Sequence, residues 1–214
     1  MNTLNTWFQV LKKIISIGDH YQDSDDRSAL ELENLIIKIE NPEADKIEGP
    51  IDLMTNSKEW LYPSKAEISN IIFKTIQNPS YDYTYGGRIF NYQKSINQLE
   101  NYIIPLLQKN PQSRAAIVTI IDPLIDFESA KRNLPGITTI YFRIRNNKLN
   151  ITATIRSQDM LFGWPANLYQ LYCLQKFVAK DLDMEIGSIT TISHSAHIFK
   201  INKEQILKMV ENEK

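Results

Sequence analysis

The densest chemistry in this chain lies between residues 156 and 167, where Arg156-Ser157, Asp159 and Asn167 follow one another closely. A guanidinium can grip a phosphate through two parallel charge-assisted hydrogen bonds, and a neighbouring hydroxyl can add a third. A carboxamide sets a donor beside an acceptor, which is what reading a pyrimidine edge requires. The acid between them can accept backbone amide bonds or pair with the arginine. Upstream, 140–155 is rich in β-branched and aromatic residues; downstream, Leu168, Leu171, Tyr172, Leu174 and Val178 recur at helical spacing. Arg156 and Ser157 are therefore expected at a strand end, with Asn167 opening the helix that follows. That layout suits a nucleotide. The plainer alternatives are a structural ion pair for Arg156 and a helix cap for Asn167.

The run Arg156-Ser157-Gln158-Asp159-Met160-Leu161-Phe162-Gly163-Trp164-Pro165-Ala166-Asn167 fills every fixed position of the form R-S-x-D-x-x-x-G-x-P-x-N and so resembles the signature of the thymidylate synthase family. Pro111-Gln112-Ser113-Arg114, Asn97-Gln98-Leu99, Glu185-Ile186-Gly187 and His197-Ile198-Phe199 resemble further family segments, with fainter echoes in Tyr85-Gly86, Trp7 to Leu11 and Arg27. The resemblance covers roughly residues 80–200 well and the first 80 poorly, and it leans toward the compact archaeal-type and hydroxymethylase branches. It implies an α/β (α+β) fold of three layers, a mixed sheet with flanking helices, and a homodimer formed through the sheet. It also implies a pyrimidine nucleoside monophosphate of dUMP or UMP type, with methylenetetrahydrofolate as one-carbon donor. By the same resemblance Arg156, Ser157 and Arg114 fall on the phosphate side, Asn167 and Asp159 on the base, His197 in the polar pocket, and Arg27 among the substrate-binding residues.

Counting back from Arg156 without a gap places Pro135-Gly136-Ile137 where the family has Pro-Cys-His. In the family a cysteine thiolate adds to C6 of the uracil ring; glycine has no group to do so, and covalent catalysis needs an activated nucleophile within reach. Phe199 stands where a tyrosine usually bonds the sugar, and Ala115 where a second arginine usually follows Arg114. Two readings follow. One is a C5 one-carbon transferase that works without the thiolate; the other is a catalytically inactive or repurposed nucleotide-binding homologue. Tyr85, beside two glycines in an apparent loop, and Asp122, at the end of a strand, are the remaining candidates for catalytic groups. Cys173 lies among apolar helical positions and reads as a packed thiol rather than a displaced nucleophile.

Composition fits one domain spanning 1–214: 43% of residues are hydrophobic and 10% aromatic, enough for a substantial core. Lys+Arg 24 against Asp+Glu 25 leaves a net charge of -1, so no overall basic field points to nucleic acid. No apolar run reaches the roughly 20 residues that cross a bilayer, which with the amphipathic start indicates no membrane partner and a cytoplasmic protein. One cysteine excludes an intrachain disulfide and a cysteine-rich metal site. His194 and His197, three apart in a strand, are expected on opposite faces rather than on one metal.

The remaining pattern predicts the frame. Trp7, Val10, Leu11, Ile14 and Ile15 give a helix ending near Gly18; 19–28 reads as polar and mobile; 30–40 reads as a strand closed by Asn41-Pro42. Ser64 with Glu67 marks a capping box opening a helix over 64–77. Pro105 predicts a kink or late start in a helix over 95–109. A strand is expected over 115–121, a tight turn at Asn146-Asn147, and a short charged helix within 200–214.

Overall fold

In the computed structural model, residues 2–76, 83–127 and 134–211 are described. The first helix, α1 (Thr3–Ile17), is capped by Asn2 and buries Trp7, Phe8, Leu11 and Ile14, the stripe its periodicity predicts. The segment after it is not a mobile loop: Asp19–Gln22 forms β1, an edge strand paired antiparallel to β2 (Ser28–Ile39). Its side chains are mostly exposed, so no apolar alternation announces it, and the backbone ladder alone defines it.

Then come α2 (Gly49–Asn56), α3 (Lys65–Phe73) and α4 (Tyr85–Phe90). The capping box forms as expected, with Ser64 accepting from the Glu67 amide and the Glu67 carboxylate accepting from the Ser64 amide at 2.8 Å. Its helix ends at Phe73, short of the expected 77, which lies outside the described residues. Pro105 has the effect its missing N–H dictates: a π-helical turn over Leu99–Ile103 gives way to α5 (Ile104–Lys109), with the proline in its first turn.

The strand expected over 115–121 pairs only as β3 (Ile117–Thr119), and α6 (Pro123–Asp126) follows it. β4 (Ile137–Arg145) and β5 (Lys148–Asp159) form a hairpin through Asn146-Asn147, both at positive φ (52° and 57°) as a type I′-like turn demands. α7 (Gly163–Asp181), β6 (Glu185–Phe199) and α8 (Lys203–Glu211) complete the chain.

The six strands lie in the order β1-β2-β6-β5-β4-β3, antiparallel except for the β5–β6 pair, so the sheet is mixed. α7 packs on β5 and β6, α1 on β2 and β6, and α2 and α3 lie against α7. Buried Gln175 of α7 donates to Leu149 O at 2.7 Å and to Gly187 O at 3.1 Å, satisfying carbonyls where the β5–β6 register shifts.

One irregularity of the sheet shapes everything that follows. Along β5 burial falls on Leu149, Ile151, Ala153 and Ile155, then on Gln158, with Met160 just past the strand; along β6 it falls on Ile189, Thr191 and Ser193, then on Ala196 and Ile198, with Ser188 and His197 buried as well. On β2, Ile37 and Ile39 are buried at one end and Leu30, beside the small buried Ala29, at the other, with Asn34 between them at φ 53°. The buried parity thus changes in all three strands at the row containing Asn34, His194 and Arg156, a stacked kink across the sheet centre.

Candidate functional site

Arg156 is not at the strand end. β5 continues to Asp159, and the kink sets Arg156 and Ser157 at the bend. The Arg156 amide donates to Gly136 O at 2.9 Å, holding the entry to β4 against β5. Its guanidinium turns the same way, Nε donating to Pro135 O at 3.1 Å and Nη2 to Leu134 O at 2.9 Å. These bonds fix the plane of the guanidinium and leave Nη1 without a protein partner among the described residues. Arg156 is exposed and makes no ion pair among the described residues.

Gly136 stands at the centre of the remaining groups. A Cβ built on it would lie 3.3 Å from the Tyr85 hydroxyl and 3.7 Å from Ser157 O. Tyr85 is not a surface-loop residue: Thr84 caps α4 by accepting from Gly87 N, and Tyr85 opens that helix. Its hydroxyl accepts from Ile137 N at 3.3 Å, and the side chains of Asn167 and Tyr83 lie close about it. Burial raises the Tyr85 phenol above its ordinary value, so it is neutral. Tyr83 packs edge-on against it at 5.6 Å and is raised for the same reason. Asn167 is well inside α7, whose cap position is Phe162, so the capping alternative fails.

Asp159 and His197 are ladder partners across β5 and β6. Asp159 Oδ1 accepts from Leu161 N at 2.8 Å and Phe162 N at 3.1 Å, closing the turn into α7. Burial raises the Asp159 carboxyl, opposed by those two amides and by His197; burial lowers the His197 imidazole, opposed by Asp159. His197 is flanked by Phe199 at 5.2 Å and Tyr21 at 6.4 Å, with Ser195 Oγ 3.5 Å from its Nδ1. His194, by contrast, is exposed and bonds Asn34 at 2.9 Å. The kink removes the simple alternation that would turn the two histidines opposite ways; environment separates them instead. Among the described residues no group of three or more His, Cys, Asp or Glu side chains is placed to hold a metal.

Of the other expected residues, Arg27 borders the Asp159–His197 pair, while Asp122 and Arg114 lie elsewhere. Arg27 is exposed in the β1–β2 turn, paired with Asp23 at 2.7 Å and Asp25 at 3.5 Å, its guanidinium 4.4 Å over the Phe199 ring. Asp122 caps α6 through Leu124 N at 3.0 Å, accepts from Gln93 at 2.9 Å and faces Arg88 at 3.9 Å. Arg88 in turn pairs with Asp126 at 2.5 Å, so the Asp122 carboxylate is committed to a buried network.

Arg114 is exposed and makes no hydrogen bond or ion pair among the described residues. The Phe142 amide bonds Ala116 O, so Arg114 lies beyond Phe142 toward the β4–β5 hairpin. The strand from Gly136 to Phe142 alone spans about 20 Å at an ordinary rise. Within one chain, Arg114 and Arg156 therefore cannot hold the same phosphate.

Cys173 lies on α7, half-buried, its thiol raised by burial. Sequence reasoning missed Tyr83, Tyr21, and the aromatic pair Trp60 and Phe162, whose rings meet edge-on at 6.1 Å. A dipeptide spacing of tyrosines at 83 and 85 was the only local signal for any of them.

No helix among the described residues is long and apolar enough to cross a membrane. Residues 52–214 match the family model described as thymidylate synthase. A protein of Methanosarcina mazei named "Putative thymidylate synthase" is 33% identical over 211 residues, covering 98% of this chain and 92% of its own. One of the same name from Methanocaldococcus jannaschii is 29% identical over 202 residues, covering 89% and 85%. The deoxyuridylate hydroxymethyltransferase of Bacillus phage SP01 is 30% identical over 95 residues, 44% of this chain and 25% of the phage protein. Likeness to the archaeal proteins thus extends through the first 80 residues, further than the motifs alone reach. With the signature residues gathered around one bend of a mixed, helix-flanked sheet and the family match running through most of its length, the chain belongs to the thymidylate synthase family.

Proposed function

We propose that this protein binds a pyrimidine nucleoside monophosphate of uridine or deoxyuridine type, and that any one-carbon transfer at C5 proceeds without a bond from protein to C6. The observation that carries both halves is the setting of Gly136. Arg156, Ser157, Asn167 and Tyr85 gather about a position that has no side chain. Arg156, oriented by the Leu134 and Pro135 carbonyls, offers Nη1 to a phosphate, and Ser157 adds a hydroxyl. Asn167 presents its amide to the base, and the neutral Tyr85 phenol can donate to a base carbonyl. No thiolate is available to make C5 nucleophilic.

The family's one-carbon donor is methylenetetrahydrofolate, which when bound would supply the unit added at C5. The chemistry of the Trp60–Phe162 pair fits a pteridine, whose rings flat aromatic surfaces can cover. A homodimer through the sheet follows from the same reading. The sheet surface away from α1 and α7 carries exposed Ile36, Lys38 and Arg143, and a second copy facing it would bring an Arg114 toward a site its own chain cannot reach. The nucleotide reading also supports a cytoplasmic location. The second reading, a binder without turnover, is favoured by the same glycine and by the position of Cys173 on α7, away from the bend.

The deciding experiment titrates wild type and Gly136→Cys with UMP and dUMP by calorimetry, then measures tritium release from C5-labelled nucleotide with methylenetetrahydrofolate. Binding by both proteins with release only by the variant supports a binder whose nucleophile has been lost. Release by wild type establishes the thiol-free route. Absence of nucleotide binding in both proteins ends the proposal.

A further inference from the structure

A run of polar groups crosses the sheet beside the phosphate-binding corner and ends on β1, the edge strand. Ser157 and Ser195 are ladder partners, so their Cα atoms lie on adjacent strands about 5 Å apart. Ser195 Oγ is 3.5 Å from His197 Nδ1, and the Ser195 side chain lies beside the Tyr21 phenol. Tyr21 pairs with Ala29 and Ala29 with Phe199, so all three occupy one cross-strand row. Alanine in the middle strand leaves room for a ring to lean across it, and the Tyr21 ring accordingly meets the edge of His197 at 6.4 Å. Phe199, 5.2 Å from His197, adds an apolar ring under the Arg27 guanidinium.

This alternation of hydroxyls, an imidazole and one apolar wall suits a sugar, whose hydroxyls both donate and accept while its C–H face packs on an aromatic ring. We propose that Tyr21 recognises the 3′-hydroxyl of the bound nucleotide, acting with Ser195 and His197 and supplying from β1 a phenol that Phe199 cannot. The inference rests on the nucleotide reading above and adds to it a specificity residue from outside the signature segments. Tyr21 is half-buried and burial keeps its phenol neutral, able both to donate to and to accept from a sugar hydroxyl.

The test compares dUMP with 2′,3′-dideoxyuridine monophosphate, and in parallel UMP with its 3′-deoxy analogue, by calorimetry on three proteins: wild type, Tyr21→Phe, and Tyr21→Phe/Phe199→Tyr. Loss of one neutral hydrogen bond predicts that Tyr21→Phe weakens the 3′-hydroxyl nucleotides about fivefold. The analogues lacking that hydroxyl should bind Tyr21→Phe as they bind wild type. Returning a phenol at position 199 should recover affinity for the 3′-hydroxyl nucleotides alone. Equal weakening of both classes, or no weakening, overturns the inference while leaving nucleotide binding intact. Wild-type protein that binds none of the four overturns the nucleotide reading and this inference with it.

Discussion

Asp159 and His197 face each other across the parallel β5–β6 ladder, each taken out of water and each opposing the other's shift. Burial raises the carboxyl, so the folded state holds that proton more tightly than the unfolded chain. The stability linked to it is complete at low pH and is lost as pH rises through the raised value. Asp159→Asn keeps an oxygen for Leu161 N and Phe162 N while removing the buried charge. It should raise Tm at pH 7.5, with the gain shrinking as the pH is lowered to 5. Thermal denaturation across that range decides it; a Tm below wild type at pH 7.5 would show that the ionised form is instead well compensated.

The imidazole carries the opposite sign. Its value is lowered, so the folded state sheds a proton the unfolded chain keeps, and the linked stability is present above the ordinary value of 6.5 and lost as pH falls below it. His197→Gln should therefore lose less Tm than wild type between pH 7.5 and 5. Parallel slopes in the two proteins would place the acid sensitivity elsewhere.

Arg156 uses Nε and Nη2 on carbonyls, a fork that lysine cannot reproduce. Arg156→Lys keeps the charge but frees Leu134 and Pro135, and is expected to weaken UMP or dUMP about tenfold to a hundredfold, the range for a hydrogen-bonded charged contact. Uridine and deoxyuridine, which lack the phosphate, should bind the variant nearly as they bind wild type. Calorimetry on nucleotide and nucleoside together separates the two effects, since a general collapse of the bend would weaken both.

Arg114, displaced from Arg156 along the whole inner stretch of β4, makes a prediction about assembly. If a second copy supplies it, Arg114→Ala and Arg156→Ala chains are each impaired, but a mixed dimer holds one site with both arginines intact. Random exchange then restores roughly a quarter of the sites. Titration of refolded mixtures should show that fraction of high-affinity sites. Mixtures that behave as the average of the two variants would confine the site to one chain.

Much of this site was legible in the sequence because its chemistry is concentrated in one segment. Arg156, Ser157, Asp159 and Asn167 keep their spacing whatever the rest of the chain does, and the capping box at Ser64, the turn at Asn146-Asn147 and the break at Pro105 are local events decided by local residues. What stayed hidden depends on contacts between distant segments. Tyr85 looked like a loop residue until its hydroxyl met Ile137, 52 positions away. The change of buried parity on three strands was equally invisible, since each strand read alone is an alternating pattern with a flaw. β1 is held by backbone pairing, to which side-chain periodicity is blind. The separation of Arg114 from Arg156 needed the direction of β3 relative to β4.

Trp7 is the clearest long-range support for the bend. Its indole Nε1 donates to Met160 O at 2.6 Å across 153 positions, and the ring is fully buried. Met160 follows Asp159 directly, and its amide donates to His197 O at 2.8 Å, so both of its backbone polar groups are fixed where β5 turns into α7. Trp7→Phe keeps an aromatic ring in the core but leaves a buried carbonyl without its donor and a void where the larger ring lay. The unsatisfied carbonyl alone costs about 1–3 kcal/mol and the lost volume adds to it. Urea unfolding should show a lowered midpoint with an unchanged slope. Because the bond ends beside Asp159 rather than at Gly136, base-side contacts should suffer more than phosphate contacts: the variant should lose affinity for nucleosides and nucleotides alike, whereas Arg156→Lys spares the nucleosides. A Trp7→Phe protein with wild-type stability would show that this indole bond contributes nothing net to the fold.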